Sequence, residues 1–330
     1  MGEAGLTPTP PLSPICMLNP DCIPTPSAPV ERLQNTENIL LLGTDRREGW
    51  SNWRTDTIML VSIDHERNEV AVVSIPRDLY VYHPVFGKKR INSFDYLAEA
   101  RGYPGGGFQA MKDIFEYNFG VPIHHYVRAH RGAFVEFVDA VGGIDVTLDC
   151  DLWEISPQPD GNGYKVLYLP AGVHHLDGET ALEFATYRYR TADWGRARRQ
   201  QQVLAALKDQ AAQLSLLAKA PQIWDIIKRN VSSDLGFTDL LRYAKLGLDF
   251  DMSSIHSHVF SGRELAQAKL PSGAEILIPK EDGVIQDVLE NIFLYVPINV
   301  QGTHPKGCPP PPAWAPEYLA SLTPTPPPQQ

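Results

Sequence analysis

The sequence predicts an α/β fold in which a partly antiparallel sheet is covered by helices on both faces. Short apolar runs of strand length alternate along the chain with longer segments of helical periodicity, which is the pattern of a sheet flanked by helices. The first run, residues 38–43, ends in glycine and predicts a buried strand. Residues 57–63 and 70–75 form two further runs on either side of a polar turn, which predicts a hairpin.

The remaining elements follow in order. Asp177 is a favourable N-cap residue and marks the start of one helix, and a glycine pair at 142–143 separates another helix from the strand after it. After the hairpin we predict helices at 93–101 and 107–119, a strand at 123–129, a helix at 131–140, strands at 144–149 and 164–169, helices at 177–187, 196–214, 219–229 and 237–247, and strands at 254–260 and 274–278.

Both ends of the chain are rich in Thr-Pro and Ser-Pro steps. Such segments favour extended polyproline II conformations and cannot build a core. We therefore divide the chain into a Pro/Thr-rich linker at 1–35, a folded domain at 36–295 and a proline-rich tail at 296–330. The ends are interpreted either as tethers or as plain disordered tails.

The overall charge excludes one class of function. The net charge is −10 at pH 7, whereas a nucleic-acid-binding protein needs a basic face that neutralises phosphates. We therefore expect no nucleic-acid partner. No run of about 18 apolar residues occurs, so we also expect no transmembrane helix in this chain.

The four cysteines bear on the compartment. Cys16 and Cys22 flank a short loop, and no C-x-x-C pair indicates a zinc knuckle or a thioredoxin-type site. A disulfide between these two cysteines would suit a protein outside the cytoplasm. Free thiols are the alternative, because spacing alone does not decide pairing.

Two aspartates stand at the ends of neighbouring predicted strands. Asp45 follows the first strand directly, and Asp56 precedes the second. Ligand sites form at strand ends in open sheets, and two carboxylates there can hold Mg²⁺, which prefers oxygen ligands. The alternative is that each aspartate caps a turn. Arg77 follows the third strand at the same rim, either as part of a site or as a surface arginine paired to an acid.

A dense arginine cluster lies in the second half of this acidic chain. Arg196, Arg199 and Gln200 share a helical face whose continuation is apolar, and Arg188 and Arg190 point the same way if their segment is extended. Cations at a helix start oppose the helix dipole and need an anionic partner. Because guanidinium groups and helix N-termini both bind phosphate oxygens, the cluster predicts a pyrophosphate site. A solvated basic helix and a nucleic-acid patch are the alternatives; the apolar continuation opposes the first, and the acidity of the chain opposes the second.

Taken together, the motifs resemble the LytR-CpsA-Psr family of bacterial cell-envelope proteins. The resemblance covers about residues 36–215 directly. It rests on eight motifs in order with fitting gaps: GTDRR at 43–47, RTD at 54–56, IPRD at 75–78, RIN at 90–92, GGIDV at 142–146, LDGETAL at 176–182, YRYR at 187–190 and DWGRARRQ at 193–200.

The resemblance implies a three-layer α/β/α sandwich with a mixed central sheet, displayed on the outer face of the bacterial cytoplasmic membrane. It implies a phosphotransferase that moves a glycopolymer from a polyprenyl (undecaprenyl) pyrophosphate carrier onto peptidoglycan as a phosphodiester, with Mg²⁺ or Mn²⁺ as cofactor. By this resemblance, Asp45 and Asp56 hold the metal and act with Arg77 in catalysis. The implied pyrophosphate contacts are Arg47, Arg54, Arg77, Arg188, Arg190, Arg196, Arg199 and Gln200.

The resemblance also implies an apolar tunnel for the prenyl tail, between the sheet and the helices. Ordinary core packing is the alternative for the candidate lining residues, which are Phe108, Met111, Phe115, Phe134, Phe137 and Val138. The chain departs from the family in having Arg90 where a lysine is usual and in a shorter loop before Arg196, which leaves the role of Asp193 open. We expect membrane association through a segment that this chain lacks.

Two other functions fit the same residues. If water replaces the sugar hydroxyl as acceptor, the protein is a pyrophosphatase for polyprenyl or nucleotide pyrophosphates. A non-catalytic protein that binds the lipid carrier and regulates the envelope is the third interpretation. The same side chains would serve all three functions.

Overall fold

The structure is a computed structural model that describes residues 12–46, 52–157, 163–188, 192–213, 216–250, 254–295 and 308–322. Its strands are β1 (Glu37–Thr44), β2 (Thr55–Asp64), β3 (Glu69–Ser74), β4 (Tyr80–His83), β5 (Gly87–Arg90), β6 (His125–His130), β7 (Ile144–Leu148), β8 (Leu152–Pro157), β9 (Tyr164–Leu169), β10 (Gly172–Leu176), β11 (Val231–Ser233), β12 (Ile255–Val259), β13 (Leu265–Lys269) and β14 (Glu275–Pro279). Its α-helices are α1 (Pro14–Leu18), α2 (Phe94–Ala100), α3 (Gly106–Ile114), α4 (Arg131–Val141), α5 (Gly178–Thr186), α6 (Ala192–Gln213), α7 (Leu216–Asn230), α8 (Phe237–Asp249), α9 (Val284–Glu290) and α10 (Ala315–Leu322).

A six-stranded mixed sheet forms the centre, in the order β11-β6-β1-β2-β3-β12. Strand β1 lies parallel to β6, and β3 lies parallel to β12. The other neighbours are antiparallel, including the β2–β3 hairpin that the sequence predicts. The parallel pair β1–β6 places the ends of both strands at one rim of the sheet, and this rim carries the candidate site.

Alternate side chains of the central strands face two different helical layers. Leu40, Leu42 and Leu60 point to one face, where α3 and α9 pack. Ile39 and Val61 point to the other face, where α6 and α8 pack. Apolar residues at successive positions of β1 therefore mean a strand buried on both sides. This arrangement confirms the predicted three-layer α/β/α sandwich with a mixed sheet.

Local signals set the limits of the helices beside the site. The carboxylate of Asp177 accepts a hydrogen bond from the backbone N–H of Thr180 at 2.8 Å and starts α5, as predicted. Helix α4 ends at Gly142, whose φ of 93° lies in the left-handed region that favours glycine. Both helices pack with α6 and β7 around a second apolar cluster, which includes Val138, Ile144 and Phe184.

The small hairpins β4–β5, β8–β9 and β13–β14 were only partly predicted. Strands β9 and β14 match the strands predicted at 164–169 and 274–278, whereas β4, β5, β8 and β13 are absent from the prediction. The missed strands are short, and β5 reads Gly-Lys-Lys-Arg, which offers no apolar alternation from which a strand could be predicted. The β8–β9 hairpin bears on the candidate site, because its Glu154 contacts Arg199.

The disulfide between Cys16 and Cys22 is present, which confirms one of the two interpretations of those cysteines. A second disulfide joins Cys150 to Cys308 across 158 positions of sequence. This disulfide anchors the C-terminal stretch, which the sequence predicted to be extended. Within that stretch, residues 315–322 form helix α10, and Ala315 is buried. Within the described residues, we find no helix whose length and apolar character would let it cross a membrane.

Candidate functional site

Asp45 follows β1 directly and is bound to the backbone of Arg54, which precedes β2. The N–H of Asp45 donates to the carbonyl oxygen of Arg54 at 3.0 Å. In return, the Asp45 carboxylate accepts a hydrogen bond from the N–H of Arg54 at 2.5 Å. These two bonds fix the Asp45 carboxylate at the rim of the sheet, against a residue that precedes Asp56 by two positions.

Asp56 lies at a β-bulge in the β1–β2 pair. Thr57 stands opposite Gly43 and Thr55 stands opposite Thr44, so Asp56 has no residue opposite it. A bulge redirects the side chain of the extra residue and is often found beside active sites. Gly43 is required here, because a Cβ at that position would lie 2.9 Å from the Cβ of Thr57.

Arg77 joins Asp56 to a chain of ion pairs. Its Nη1 lies 2.8 Å from Oδ1 of Asp56, and its Nε lies 3.4 Å from Oδ2 of Asp78. Arg90 pairs with the other oxygen of Asp78 at 3.1 Å. Arg77 is only 15% exposed, so these contacts are less screened by solvent than a surface ion pair.

Helix α6 brings the arginine cluster to the same rim. Nη2 of Arg196 lies 3.3 Å from the backbone carbonyl oxygen of Asp56 and donates to it. Nε2 of Gln200 donates to Oγ1 of Thr57 at 2.9 Å. The structure therefore unites motifs that lie far apart in the sequence.

Arg199 occupies a different environment from Arg196. Its side chain is 3% exposed, and Nη1 lies 3.5 Å from the fully buried carboxylate of Glu154. Nε donates to the carbonyl oxygen of Phe184 at 2.6 Å, and Nη2 donates to that of Tyr187. Burial lowers the pKa of Arg199 to about 10, so the guanidinium stays charged at neutral pH. The structure thus places Arg199 inside the protein, whereas the sequence placed it among the phosphate contacts.

The other residues predicted to contact the pyrophosphate are Arg47, Arg54, Arg188 and Arg190. Arg54 is half-buried beside Asp45, and Arg188 is exposed just after Tyr187. Arg47 and Arg190 lie outside the described residues, as does the side chain of Asp193. Among the described residues, the rim thus brings together Asp45, Asp56, Arg77, Arg196 and Gln200.

The carboxylates at the rim fit a hard divalent cation. Among the described residues, no group of three or more His, Cys, Asp or Glu side chains is arranged to hold a metal ion. Asp45 and Asp56 offer two carboxylates, and Mg²⁺ is commonly held by one or two carboxylates together with water and substrate phosphates. The donor set therefore suits a metal whose coordination is completed by the substrate.

An apolar cavity of about 470 Å³ lies between the sheet and helices α4, α6, α7 and α8. Representative lining residues are Leu41, Val61, Phe134, Phe137, Trp224 and Leu246. Phe134 and Phe137, two of the six candidate lining residues, line this cavity. The other four candidates do not line this cavity, because α3 covers the opposite face of the sheet and Val138 turns toward α5: they are Phe108, Met111, Phe115 and Val138.

Asp95 is a site-supporting residue that the sequence analysis missed. It is fully buried and accepts hydrogen bonds from Arg128 at 2.7 Å and from the hydroxyl of Thr55 at 3.1 Å. Burial raises the pKa of this carboxyl group, although the Arg128 charge opposes the rise. Thr55 lies between Arg54 and Asp56 in the chain. Its hydrogen bond to the buried Asp95 therefore holds this end of β2 in place. The sequence signal for Asp95 was an acidic residue at an inward position of a predicted helix, because a buried charge needs a partner.

The sequence and the fold of this chain are both similar to those of known proteins. The sequence model of the LytR_cpsA_psr family matches residues 24–284. The chain is 36% identical over 205 residues to the polyisoprenyl-teichoic acid–peptidoglycan teichoic acid transferase TagU of Oceanobacillus iheyensis, covering 62% of this chain and 60% of that protein. It is 32% identical over 200 residues to TagU of Bacillus mycoides, covering 60% of each.

The crystal structure of TagV from B. subtilis has the same fold, with a TM-score of 0.61 and 27% identity over 80% of this chain and 99% of that one. The chain spans about 60% of the length of the curated relatives named above.

Proposed function

This chain belongs to the LytR_cpsA_psr family, and from that premise we propose that it transfers a glycopolymer from a polyprenyl pyrophosphate carrier to peptidoglycan. The transfer takes place outside the cytoplasm and leaves a phosphodiester link. Two relatives are named as teichoic acid transferases that use a polyisoprenyl-linked donor and peptidoglycan. Their names support this class of donor and acceptor for the present chain.

The observation that carries the proposal is the meeting of Asp56, Arg77 and Arg196 at one rim. Two guanidinium groups held against one strand end form a cradle for a doubly charged phosphate group, because each guanidinium can present parallel N–H donors to phosphate oxygens. A purely structural ion pair would need only one of the two arginines.

The apolar cavity supports a lipid donor rather than a water-soluble nucleotide. It shares β1 with the rim, since Leu41 lines the cavity and Asp45 follows the same strand four residues later. A prenyl tail that enters the cavity removes apolar surface from water on both partners. The pyrophosphate is thereby fixed at the rim while the glycan stays in solvent.

The proposed reaction is a phosphoryl transfer. A sugar hydroxyl of peptidoglycan attacks the phosphorus atom that carries the glycan. The bond from this phosphorus to the bridging oxygen breaks, and polyprenyl phosphate leaves with that oxygen. Arg77 and Arg196 bind the phosphate oxygens and offset the charge that builds on them, and the proton of the hydroxyl passes to Asp45 or Asp56.

We further propose that Asp45 and Asp56 bind Mg²⁺ in the working enzyme. When bound, the cation neutralises charge on both phosphates of the donor. The protein residues retain their own tasks. Arg54 holds Asp45 in position through its backbone, and Arg77 orients Asp56.

The test is a transfer assay with a radiolabelled polyprenyl pyrophosphate-linked glycan and purified peptidoglycan. We expect label in the peptidoglycan with the native protein, and no transfer with Asp56→Ala or Arg77→Ala. Arg67→Ala is the matched control for Arg77→Ala, because Arg67 also pairs with an aspartate of β2, Asp64, but at the far end of that strand. Undiminished transfer by the Arg77→Ala protein would refute this site. Release of glycan phosphate without peptidoglycan, and no transfer with it, would identify a pyrophosphatase instead.

A further inference from the structure

The C-terminal segment, residues 308–322, is fastened to the hairpin that contacts Arg199. Cys308 forms a disulfide with Cys150, which precedes β8 by two positions. Trp314 and Tyr318 of this segment pack edge-on against Trp153 of β8, with ring centroids 5.6 Å and 6.1 Å apart. One covalent bond and two ring contacts therefore hold the segment on one side of β8.

The next residue of β8 points to the other side of the strand. Successive side chains of a strand face opposite directions, so Trp153 faces the C-terminal segment and Glu154 faces α6. Glu154 is fully buried and lies 3.5 Å from the guanidinium of Arg199. A buried charge of this kind interacts strongly with its partner, because no water can solvate either group if the two separate.

Arg199 in turn fixes the backbone that leads to Arg188. Its guanidinium donates to the carbonyl oxygens of Phe184 and Tyr187, at the end of α5. The carbonyl group of Tyr187 belongs to the peptide bond that it shares with Arg188. The position of the Arg188 backbone is thus set by a side chain that is itself buried.

We propose that Glu154 is a positioning residue for the transfer reaction, and that the C-terminal segment holds it in place through β8. The line of contacts runs from the Cys150–Cys308 disulfide to Trp153, Glu154, Arg199 and the Tyr187–Arg188 peptide. Glu154 does not touch the substrate. It keeps Arg199 in the geometry that presents Arg188 to the phosphates. This inference rests on the proposed function for its effect on turnover, but the contacts can be tested without any substrate.

The first test measures hydrogen exchange of the backbone in the native protein and in the Cys150→Ser/Cys308→Ser variant. We expect faster exchange in peptides that cover residues 183–188, at the far end of this line of contacts. The Cys16→Ser/Cys22→Ser variant, which removes the other disulfide, should leave this region unchanged. Unaltered exchange at 183–188 in the Cys150→Ser/Cys308→Ser variant would overturn the proposed line of contacts, whether or not the protein is a transferase.

The second test is a double-mutant cycle on turnover. We expect Glu154→Gln to lower kcat by roughly 10- to 100-fold, the range that a small misplacement of a binding group can cost. In a protein that already carries Arg188→Ala, Glu154→Gln should lower kcat little further, because the side chain that Glu154 positions is already absent. Glu154→Asp should restore part of the rate.

The two tests distinguish this inference from the proposed function. Full additivity of Glu154→Gln and Arg188→Ala would mean that Glu154 acts only on global stability, and would overturn the positioning role. A native protein with no transfer activity but with the expected exchange pattern would refute the proposed function and leave the line of contacts standing. If Glu154→Gln fails to fold, the cycle is run with Trp314→Ala, which removes a ring contact to Trp153 of β8.

Discussion

Nη2 of Arg196 lies 3.3 Å from the backbone carbonyl oxygen of Asp56, a contact between residues 140 positions apart in the sequence. The contact joins the helix that carries the arginine cluster to the strand that carries the bulged aspartate. Gln200, one turn further along α6, makes a second contact to Thr57. The rim is therefore assembled from both ends of the domain, and its parts depend on one another.

Replacement of Arg196 tests this dependence. Arg196→Ala removes a charged donor from the rim, and the loss of such a hydrogen bond costs on the order of 2 kcal/mol, or about 30-fold in kcat/KM. Arg196→Lys keeps the charge but loses the paired N–H donors, so we expect an intermediate rate. Steady-state transfer kinetics measure both effects. Arg263→Ala, which changes an exposed arginine distant in sequence, is the control.

Gly43→Ala should disturb the bulge at Asp56. The added methyl group would lie 2.9 Å from the Cβ of Thr57, and such overpacking typically costs about 1–3 kcal/mol. We expect a lower melting temperature together with reduced transfer. Gly262→Ala is the matched control, because no heavy atom lies within 4 Å of a Cβ built there. Equal melting curves for the two variants would contradict the close packing of Gly43.

Filling the cavity should separate lipid recognition from chemistry. Ala205 lines the cavity from α6, so Ala205→Phe places a ring where the prenyl tail is proposed to lie. We expect KM for a long-chain prenyl donor to rise roughly tenfold, the effect of about 1.4 kcal/mol of lost apolar contact. The rate with a donor that bears only a short prenyl chain should change little. An equal loss with both donors would place the tail elsewhere.

The stability of the protein in acid should depend on Asp64. Burial alone would raise the pKa of Asp64, but hydrogen bonds from the Arg67 backbone and from the Arg32 and Arg67 side chains hold it far below the ordinary 3.8. A depressed folded-state pKa contributes stability above the unfolded-state value and loses it as the pH falls through that value toward the folded one. Urea unfolding midpoints should therefore drop below about pH 4 in the native protein. Asp64→Asn should be less stable at neutral pH and show a weaker drop.

Much of the fold was accessible from sequence because its central strands are strongly apolar. The run at 38–43 and the hairpin at 57–75 appear in the structure within a few residues of their predicted limits. Some strands of the short hairpins were missed for a physical reason. A strand such as β5, with three consecutive cations, gains its stability from its partner strand and from the surfaces beneath it, and neither can be read from its own sequence.

The structure brings some of the predicted site residues together and encloses one of them. Helical periodicity put Arg196, Arg199 and Gln200 on one face, and all three side chains are buried in the structure. Periodicity could not show that Arg199 is enclosed, since its acidic partner, Glu154, comes from a strand that was not predicted. The tunnel residues illustrate the same limit. Whether an apolar helix faces one side of the sheet or the other depends on the connections between elements, so the sequence did not show that α3 and the cavity lie on opposite faces of the sheet.

We propose that the rim binds a lipid pyrophosphate together with a divalent cation. The most direct measurement is a crystal structure of the protein with a prenyl pyrophosphate and Mn²⁺, the cation being located by its anomalous scattering. We predict Mn²⁺ bound by Asp45 and Asp56, with phosphate oxygens within hydrogen-bonding distance of Arg77 and Arg196 and the prenyl chain in the cavity beside Leu41. A pyrophosphate bound away from Arg77, or Mn²⁺ bound without either aspartate, would contradict the account.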